Sequence, residues 1–229
     1  DAVLERHFNC AVAENCMKSG ALAPADGIFD FRVADKFVNY CQQHQLKVIG
    51  HCLVWHSQAP DWMFTDSGGK PVAREVLIER LVRHVKTVVG HYRGLVTGWD
   101  VVNEAIEDDG SWRKSPLYNI IGEEFIEIAF RAAHEADPDA ELYYNDFSMA
   151  KPGKRDAVCR LVRGLKEKGL RIDGVGMQSH QGLDYPNLQE YEKSIDAFAD
   201  CGVKVMITEL DINVLPNPKG FGGASVEQN

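Results

Sequence analysis

The sequence has no run of eighteen apolar residues, so it offers no candidate transmembrane helix. It has no cluster of five or more basic residues. With 25 lysines and arginines against 34 aspartates and glutamates, the formal charge is −9. A nucleic-acid footprint needs a positive patch, which this balance disfavours, whereas a neutral or weakly charged substrate fits it. The chain does not open on a basic stretch followed by an apolar run, so any export signal is expected outside this segment. No two cysteines stand in a CxxC pair, and no Cys/His spacing fits a zinc site. HExxH, GxSxG and Walker sequences are absent too. Gly174-Val175-Gly176 resembles the start of a dinucleotide fingerprint, but the last glycine is missing and the segment opens a strand.

The composition is that of a globular protein with a real core: 45% of residues are apolar and 26% charged. At 229 residues the length suits one α/β barrel or two small domains. Six cysteines (Cys10, Cys16, Cys41, Cys52, Cys159, Cys201) occur, four of them in apolar runs or on apolar helix faces, where thiols serve as small hydrophobes. One disulfide is the alternative.

Six short apolar runs alternate with amphipathic stretches: 8–13, 48–54, 95–102, 142–144, 175–177 and 203–207. Near-continuous Val- and Ile-rich runs of this length read as strands covered on both faces. Helical stripes lie between them: Val33, Phe37, Tyr40 and Cys41; Leu77, Leu81, Val85 and Val88, flanked by Ile78, Val82 and Val89; Ile121, Phe125, Ile128, Ala129 and Ala132; Val158, Leu161, Val162 and Leu165; and Leu188, Tyr191, Ile195 and Phe198. Strand and helix in alternation predict a parallel sheet of βα units in one domain. Gly90, Gly94, Gly169 and Gly202 mark the helix-to-strand returns. Polar insertions at 61–72 and 107–118 read as long loops after strands, with Trp62 and Trp112 packing within them. The tail from Leu215 is irregular.

The functional signal lies at the ends of the runs. The first ends in Glu14-Asn15, then Lys18. The second holds His51 and ends in Trp55-His56-Ser57-Gln58. The third ends in Asn103-Glu104, the fourth in Asn145-Asp146, the fifth in Gln178-Ser179-His180 and the sixth in Glu209-Leu210-Asp211. A parallel barrel gathers such ends on one face, where barrel enzymes keep their chemistry. A carboxylate at the tip of an apolar strand is costly unless it is paired or working. Glu104 and Glu209 form the candidate pair for glycoside hydrolysis, which needs one protonated and one ionised carboxyl group across the anomeric carbon. Asn103 can bond a sugar hydroxyl. His180, within reach of Glu209, would favour its charged form, while Glu104, with fewer obvious partners, would hold its proton longer. Taken singly, each residue has a plainer reading: a strand-end glutamate as a cap or ion pair, Trp55 and His51 as core, Lys18 as a solvated lysine.

The segments AENCMK (13–18), HCLVWHSQ (51–58), WDVVNEA (99–105), YYNDF (143–147), GMQSH (176–180) and ITELD (207–211) resemble, in order and rough spacing, those of glycoside hydrolase family 10, the (β/α)8 TIM-barrel xylanases. The resemblance covers essentially the whole chain. It implies retaining hydrolysis of β-1,4-xylosidic bonds in xylan and xylo-oligosaccharides, with no metal or cofactor. Glu104 falls at the family's acid/base and Glu209 at its nucleophile, which retention places about 5–5.5 Å apart. It further implies sugar contacts on the glycone side from Glu14, Asn15, Lys18, Trp55 and Gln58, and around the cleaved sugar from His51, Asn103, Gln178 and His180. Tyr144 and Asn145 fall toward the aglycone side, and Asp211 behind Glu209. Secretion and flanking carbohydrate-binding modules outside this segment are expected on the same ground. Cys16 departs from the family's more usual acidic or polar residue. The family's first strand is expected before Phe8 and its last, tryptophan-bearing one after Asn229, so the expectation is an incomplete barrel of strands two to seven in a single domain 1–229. Two other readings remain open: another retaining β-1,4-glycanase, or a non-catalytic or truncated glycan-binding domain.

Overall fold

The computed structural model describes residues 2–214; the irregular tail expected from Leu215 lies outside them. The chain runs α1 (Ala2–His7), β1 (Cys10–Val12), α2 (Ser19–Leu22), α3 (Arg32–Gln43), β2 (Lys47–Val54), a one-turn 3₁₀ helix (Asp61–Met63), α4 (Arg74–His91), β3 (Gly98–Asn103), α5 (Pro116–Ile121), α6 (Glu124–Ala136), β4 (Glu141–Asp146), α7 (Pro152–Glu167), β5 (Gly174–Met177), β6 (His180–Gly182), α8 (Leu188–Asp200), β7 (Lys204–Ile207) and β8 (Asp211–Asn213).

All six predicted runs form strands. They make one parallel sheet in the order β1-β2-β3-β4-β5-β7. Each strand of this sheet thus pairs with the sheet's next strand in chain order, with no reversal of winding. Crossovers of one hand then put the connecting helices on one face, and the sheet curls as the wall of a (β/α)8 barrel instead of opening as a doubly wound sheet. β6 and β8 form a separate two-stranded parallel sheet, with His180 paired to Asp211. That pair escapes sequence reading because its strands, HQG and DIN, have no apolar pattern.

The central strands are buried along almost their whole length: β2 beyond Lys47, β3 throughout, β4 beyond Glu141 and β5 throughout. Coverage on both faces is what makes their sequences nearly continuously apolar. The stripes of α4, α6 and α7 face this core. Two stripes need correction. In α3 the buried face is Ala34, Val38 and Cys41, and Val33 is 65% exposed, because the close helix–sheet contact is made by alanine. In α8 Leu188 is 81% exposed; it is the first helical residue, beside the Asn187 cap that accepts from Gln189 and Glu190. Ile121 closes α5 rather than lying within α6, and Gly122 separates the two helices. Gly94, Gly169 and Gly202 take positive φ at the helix returns, whereas Gly90 lies inside α4. Trp62, in the 3₁₀ helix, donates to the Ala23 carbonyl after α2 at 2.9 Å, and Trp112 stacks on Tyr118 of α5, so each ties its insertion to a neighbouring helix rather than packing within the loop. All six cysteines are free thiols, four of them buried. No helix among the described residues is long and apolar enough to cross a membrane.

Candidate active site

The polar run ends emerge together at the C-terminal edge of the sheet. The hydrogen-bond ladder continues past the strands there. Glu104 N–H donates to Asn145 O at 2.9 Å and Glu209 N–H to Gln178 O at 3.0 Å. Among the described residues, four of the five non-glycine residues with positive φ follow the ends of β2 to β5: Gln58 (48°), Glu104 (57°), Ser148 (54°) and Ser179 (63°). Such conformations cost free energy and persist where surrounding contacts impose them, often at functional sites.

Three side-chain amides link the two glutamates. Gln178 Nε2 donates to Glu104 Oε1 at 3.0 Å and to Asn103 Oδ1 at 3.2 Å. Asn145 Nδ2 donates to Asn103 Oδ1 at 3.0 Å and to Glu209 Oε1 at 2.9 Å. Asn103, Asn145 and Gln178 are buried. Their orientations are also fixed by one another and by Thr208, whose hydroxyl donates to Asn145 Oδ1 at 2.7 Å. Gly176 makes room for this: a Cβ there would lie 2.4 Å from Asn145 Oδ1 and 2.8 Å from Thr208 Cγ2.

The surroundings of the two carboxyl groups differ in kind. Glu104 accepts from Gln178, from Asn103 Nδ2 at 3.3 Å and, on Oε2, from Trp55 Nε1 at 3.0 Å. The expectation that Glu104 has few partners is therefore wrong. Two of its donors, Trp55 and Gln178, come from the ends of β2 and β5, which are remote from Glu104 in sequence and brought to it only by the fold. All three are neutral. Glu209 instead faces an imidazole: His180 Nε2 stands 3.2 Å from Glu209 Oε2, and Nδ1 stands 2.7 Å from Asp211 Oδ2. Only an imidazole with a proton on each nitrogen can donate to both carboxylates. The β6–β8 pairing sets this alignment, since His180 and Asp211 are partners in register.

Of the residues expected on the glycone side, Trp55 reaches Glu104 directly, and Lys18 and Asn15 follow behind it. Trp55 is half-buried; Lys18 Nζ sits 4.8 Å from its ring centroid and donates to Asn15 Oδ1 at 3.1 Å. Lys18 is 7% exposed, so it is not a solvated lysine. Glu14, Asn15 and Gln58 are exposed, and the Gln58 carbonyl accepts from Gly20 N–H at 2.8 Å, which seats the turn after β2 on α2. His51 Nδ1 meets Asp100 Oδ2 at 2.8 Å. Burial raises the pKa of Asp100 above the usual carboxylate value, against the pull of His51. Tyr144 is misplaced by the sequence reading. It is wholly buried, and its hydroxyl contacts Asp146 and the Ala105 amide, so no face is left for an aglycone sugar. Asn145 is equally enclosed and serves the carboxylate network.

Sequence reading missed Asp100, Arg113 and Lys154. Asp100 had a signal: a charge in the middle of the apolar run 95–102. Lys154 had one too, standing four residues before Val158 in the buried stripe of α7. Arg113, in an acidic loop, had none. Among the described residues no three His, Cys, Asp or Glu side chains gather as a metal site.

The comparisons with known proteins fit this arrangement. An endo-1,4-beta-xylanase A of Xylanibacter ruminicola is 60% identical over 223 residues, 97% of this chain and 60% of that protein. Among solved structures, a GH10 endoxylanase from a sugarcane soil metagenome superposes with a TM-score of 0.92 at 47% identity, over 96% of this chain and 64% of that one. TsXylA, an intracellular xylanase of Thermoanaerobacterium saccharolyticum, was solved as a mutant complex with xylotetraose. It superposes with a TM-score of 0.89 at 41% identity, over 93% and 68% of the two chains. The chain thus spans about 60% of the length of the curated relative. The sequence pattern of glycosyl hydrolase family 10 matches residues 1–228, and the chain belongs to that family.

Proposed function

We propose that this chain carries the catalytic centre of a retaining endo-β-1,4-xylanase. The observation that carries the reading is the unequal pair of glutamates joined through Gln178, Asn103 and Asn145, with an imidazole on one side only. Glu209, beside His180, is the nucleophile: its oxygen attacks the anomeric carbon and the glycosidic C–O bond breaks. Glu104, bonded only by neutral donors, gives its proton to the departing oxygen. In the second step Glu104 takes a proton from water, the water oxygen attacks the same carbon, and the Glu209 ester is released. Trp55, Lys18 and Asn15 offer a flat ring and hydrogen-bonding groups beside this pair, which suits a pyranose. The names of the relatives and the xylotetraose complex of TsXylA support xylan as the substrate. Export belongs to the same proposal, since a polymer of this kind is met outside the cell.

The test combines stereochemistry with trapping. Proton NMR of early products from a xylo-oligosaccharide should show the β-anomer first. A 2-fluoro-xylobioside should label Glu209 and no other residue, by peptide mass. An α-anomer first, or a label elsewhere, would overturn the mechanism. Faster turnover of β-glucan than of xylan would overturn the substrate.

A further inference from the structure

Glu104 adopts φ +57°, a left-handed conformation that residues with a side chain seldom adopt unless surrounding contacts impose it. Three bonds grip this stretch of backbone. Glu104 N–H donates to Asn145 O at 2.9 Å, Arg113 Nε donates to Glu104 O at 2.8 Å, and Ala105 N–H donates to the Tyr144 hydroxyl oxygen at 3.1 Å. The third depends on where the phenol sends its one proton, because that direction decides where its lone pairs point. Tyr144 donates it to Asp146 Oδ2 at 2.5 Å. Asp146 Oδ1 in turn accepts from Lys154 Nζ at 2.9 Å and from Phe147 N–H at 2.8 Å. Tyr144, Asp146 and Lys154 are all fully buried.

A buried Lys–Asp pair is a poor device for stability, since desolvating the two charges offsets most of their attraction. This pair lies at the end of a line of hydrogen bonds that leads to the acid/base. Lys154 also stands 3.3 Å from Asp108 Oδ1, in the loop that supplies Arg113. Its ammonium lies 3.9 Å from the Phe147 ring centroid. Burial, then the Asp146 charge, hold the Tyr144 phenol proton well above its usual pKa, so the hydroxyl remains a donor. Burial raises Asp146 to about 6 against the pull of Lys154.

We propose that Tyr144, Asp146 and Lys154 are positioning residues for the acid/base, in which the Lys154–Asp146 pair orients the Tyr144 hydroxyl and that hydroxyl holds the Ala105 amide, keeping Glu104 in its left-handed geometry. The proposal rests on the reading of Glu104 as the acid/base. The three residues touch no substrate and act through the backbone of Glu104.

Tyr144→Phe in the full-length protein removes only the oxygen. Turnover of xylan should fall about ten- to a hundredfold with KM within about twofold, as for an acid/base displaced by a fraction of an ångström. A dinitrophenyl xylobioside needs no proton to depart, so its glycosyl-enzyme should still form. Its turnover should then be limited by the water step, restored by added azide, and yield the β-xylobiosyl azide. Azide attacks without a general base, so this rescue reports on Glu104 specifically and a merely structural defect would not produce it. Equal losses on both substrates without azide rescue would overturn the proposal, as would unchanged turnover of xylan. Glu104→Ala runs in parallel: if it shows no azide rescue, the acid/base assignment itself fails; if it is rescued and Tyr144→Phe is not, only the positioning role fails. Should Tyr144→Phe not fold, Asp146→Asn carries the same test with the same outcomes.

Discussion

His84 is a buried histidine on the inner face of α4, 2% exposed, with Phe29 stacked at 6.0 Å between centroids. Its ring nitrogens lie near the Leu53 carbonyl without a hydrogen bond of ordinary geometry. Burial lowers its pKa from 6.5 to about 4. The unfolded chain binds a proton at this residue as pH falls through 6.5, while the folded chain refuses one until about pH 4. The contribution to stability is thus fully present above 6.5 and is lost as pH falls toward 4. Lowering a pKa tenfold in proton affinity corresponds to about 1.4 kcal/mol, so the full loss is about 3 kcal/mol, of which about 2 falls between pH 7 and pH 5. Asp146 acts in the opposite sense. Its pKa is raised, so its contribution is present below pH 4 and is lost as pH rises through about 6. The slope of the wild type is a sum of such contributions, and the difference from a variant isolates one. His84→Phe keeps the ring and the stacking but cannot titrate. Urea unfolding followed by tryptophan fluorescence at pH 7 and pH 5 should show the wild type losing about 2 kcal/mol more than His84→Phe over that interval. The variant should equal or exceed the wild type at pH 7, because two unbonded buried nitrogens are gone. Parallel slopes for the two proteins would refute a neutral, protonation-resistant His84.

Gly176→Ala places a methyl group against the Asn145 amide that bonds Glu209. Turnover of xylan should fall by about a hundredfold or more while far-ultraviolet circular dichroism stays native. A fall below about threefold would show that the amide relay adapts. Trp55→Phe keeps a ring beside Lys18 but removes the N–H bonded to Glu104 Oε2. Its turnover of xylan should fall about tenfold, with a much smaller loss on a dinitrophenyl xylobioside. Equal losses on the two substrates would assign Trp55 to binding alone.

The strands were legible because burial on both faces writes itself into composition, as in VIGHCLV and GVGM. The glutamates were legible because a strand with such neighbours has few reasons to end in a carboxylate. Partners at the site were less so. Which amide or indole reaches Glu104 depends on the relative heights of β2, β3 and β5, and periodicity within one segment carries no information about height. Tyr144 was misassigned for a related reason. Alternation shows that Tyr144 and Asn145 point to opposite faces of β4, but it does not say which faces the cleft. Val33 and Leu188 were misplaced because hydrophobicity alone cannot see that a helix touches a sheet through its alanine, or that a first helical residue sits beyond the contact.

The left-handed backbone at Glu104 sets the requirements of turnover against those of endurance. Glu104→Ala and Glu104→Gly should be equally poor on xylan, since both lack the carboxyl group. Glycine relieves the backbone, which is worth about 1–2 kcal/mol, and gives back about 0.4–1 kcal/mol to the unfolded chain. It should therefore unfold at higher urea than alanine by a margin of up to about 1.5 kcal/mol; an alanine variant of equal or greater stability would contradict this. At position 104, then, the sequence that lasts longest and the sequence that works are different sequences. Directed evolution for heat resistance, run without a demand for product, would drift toward glycine there and discard the enzyme.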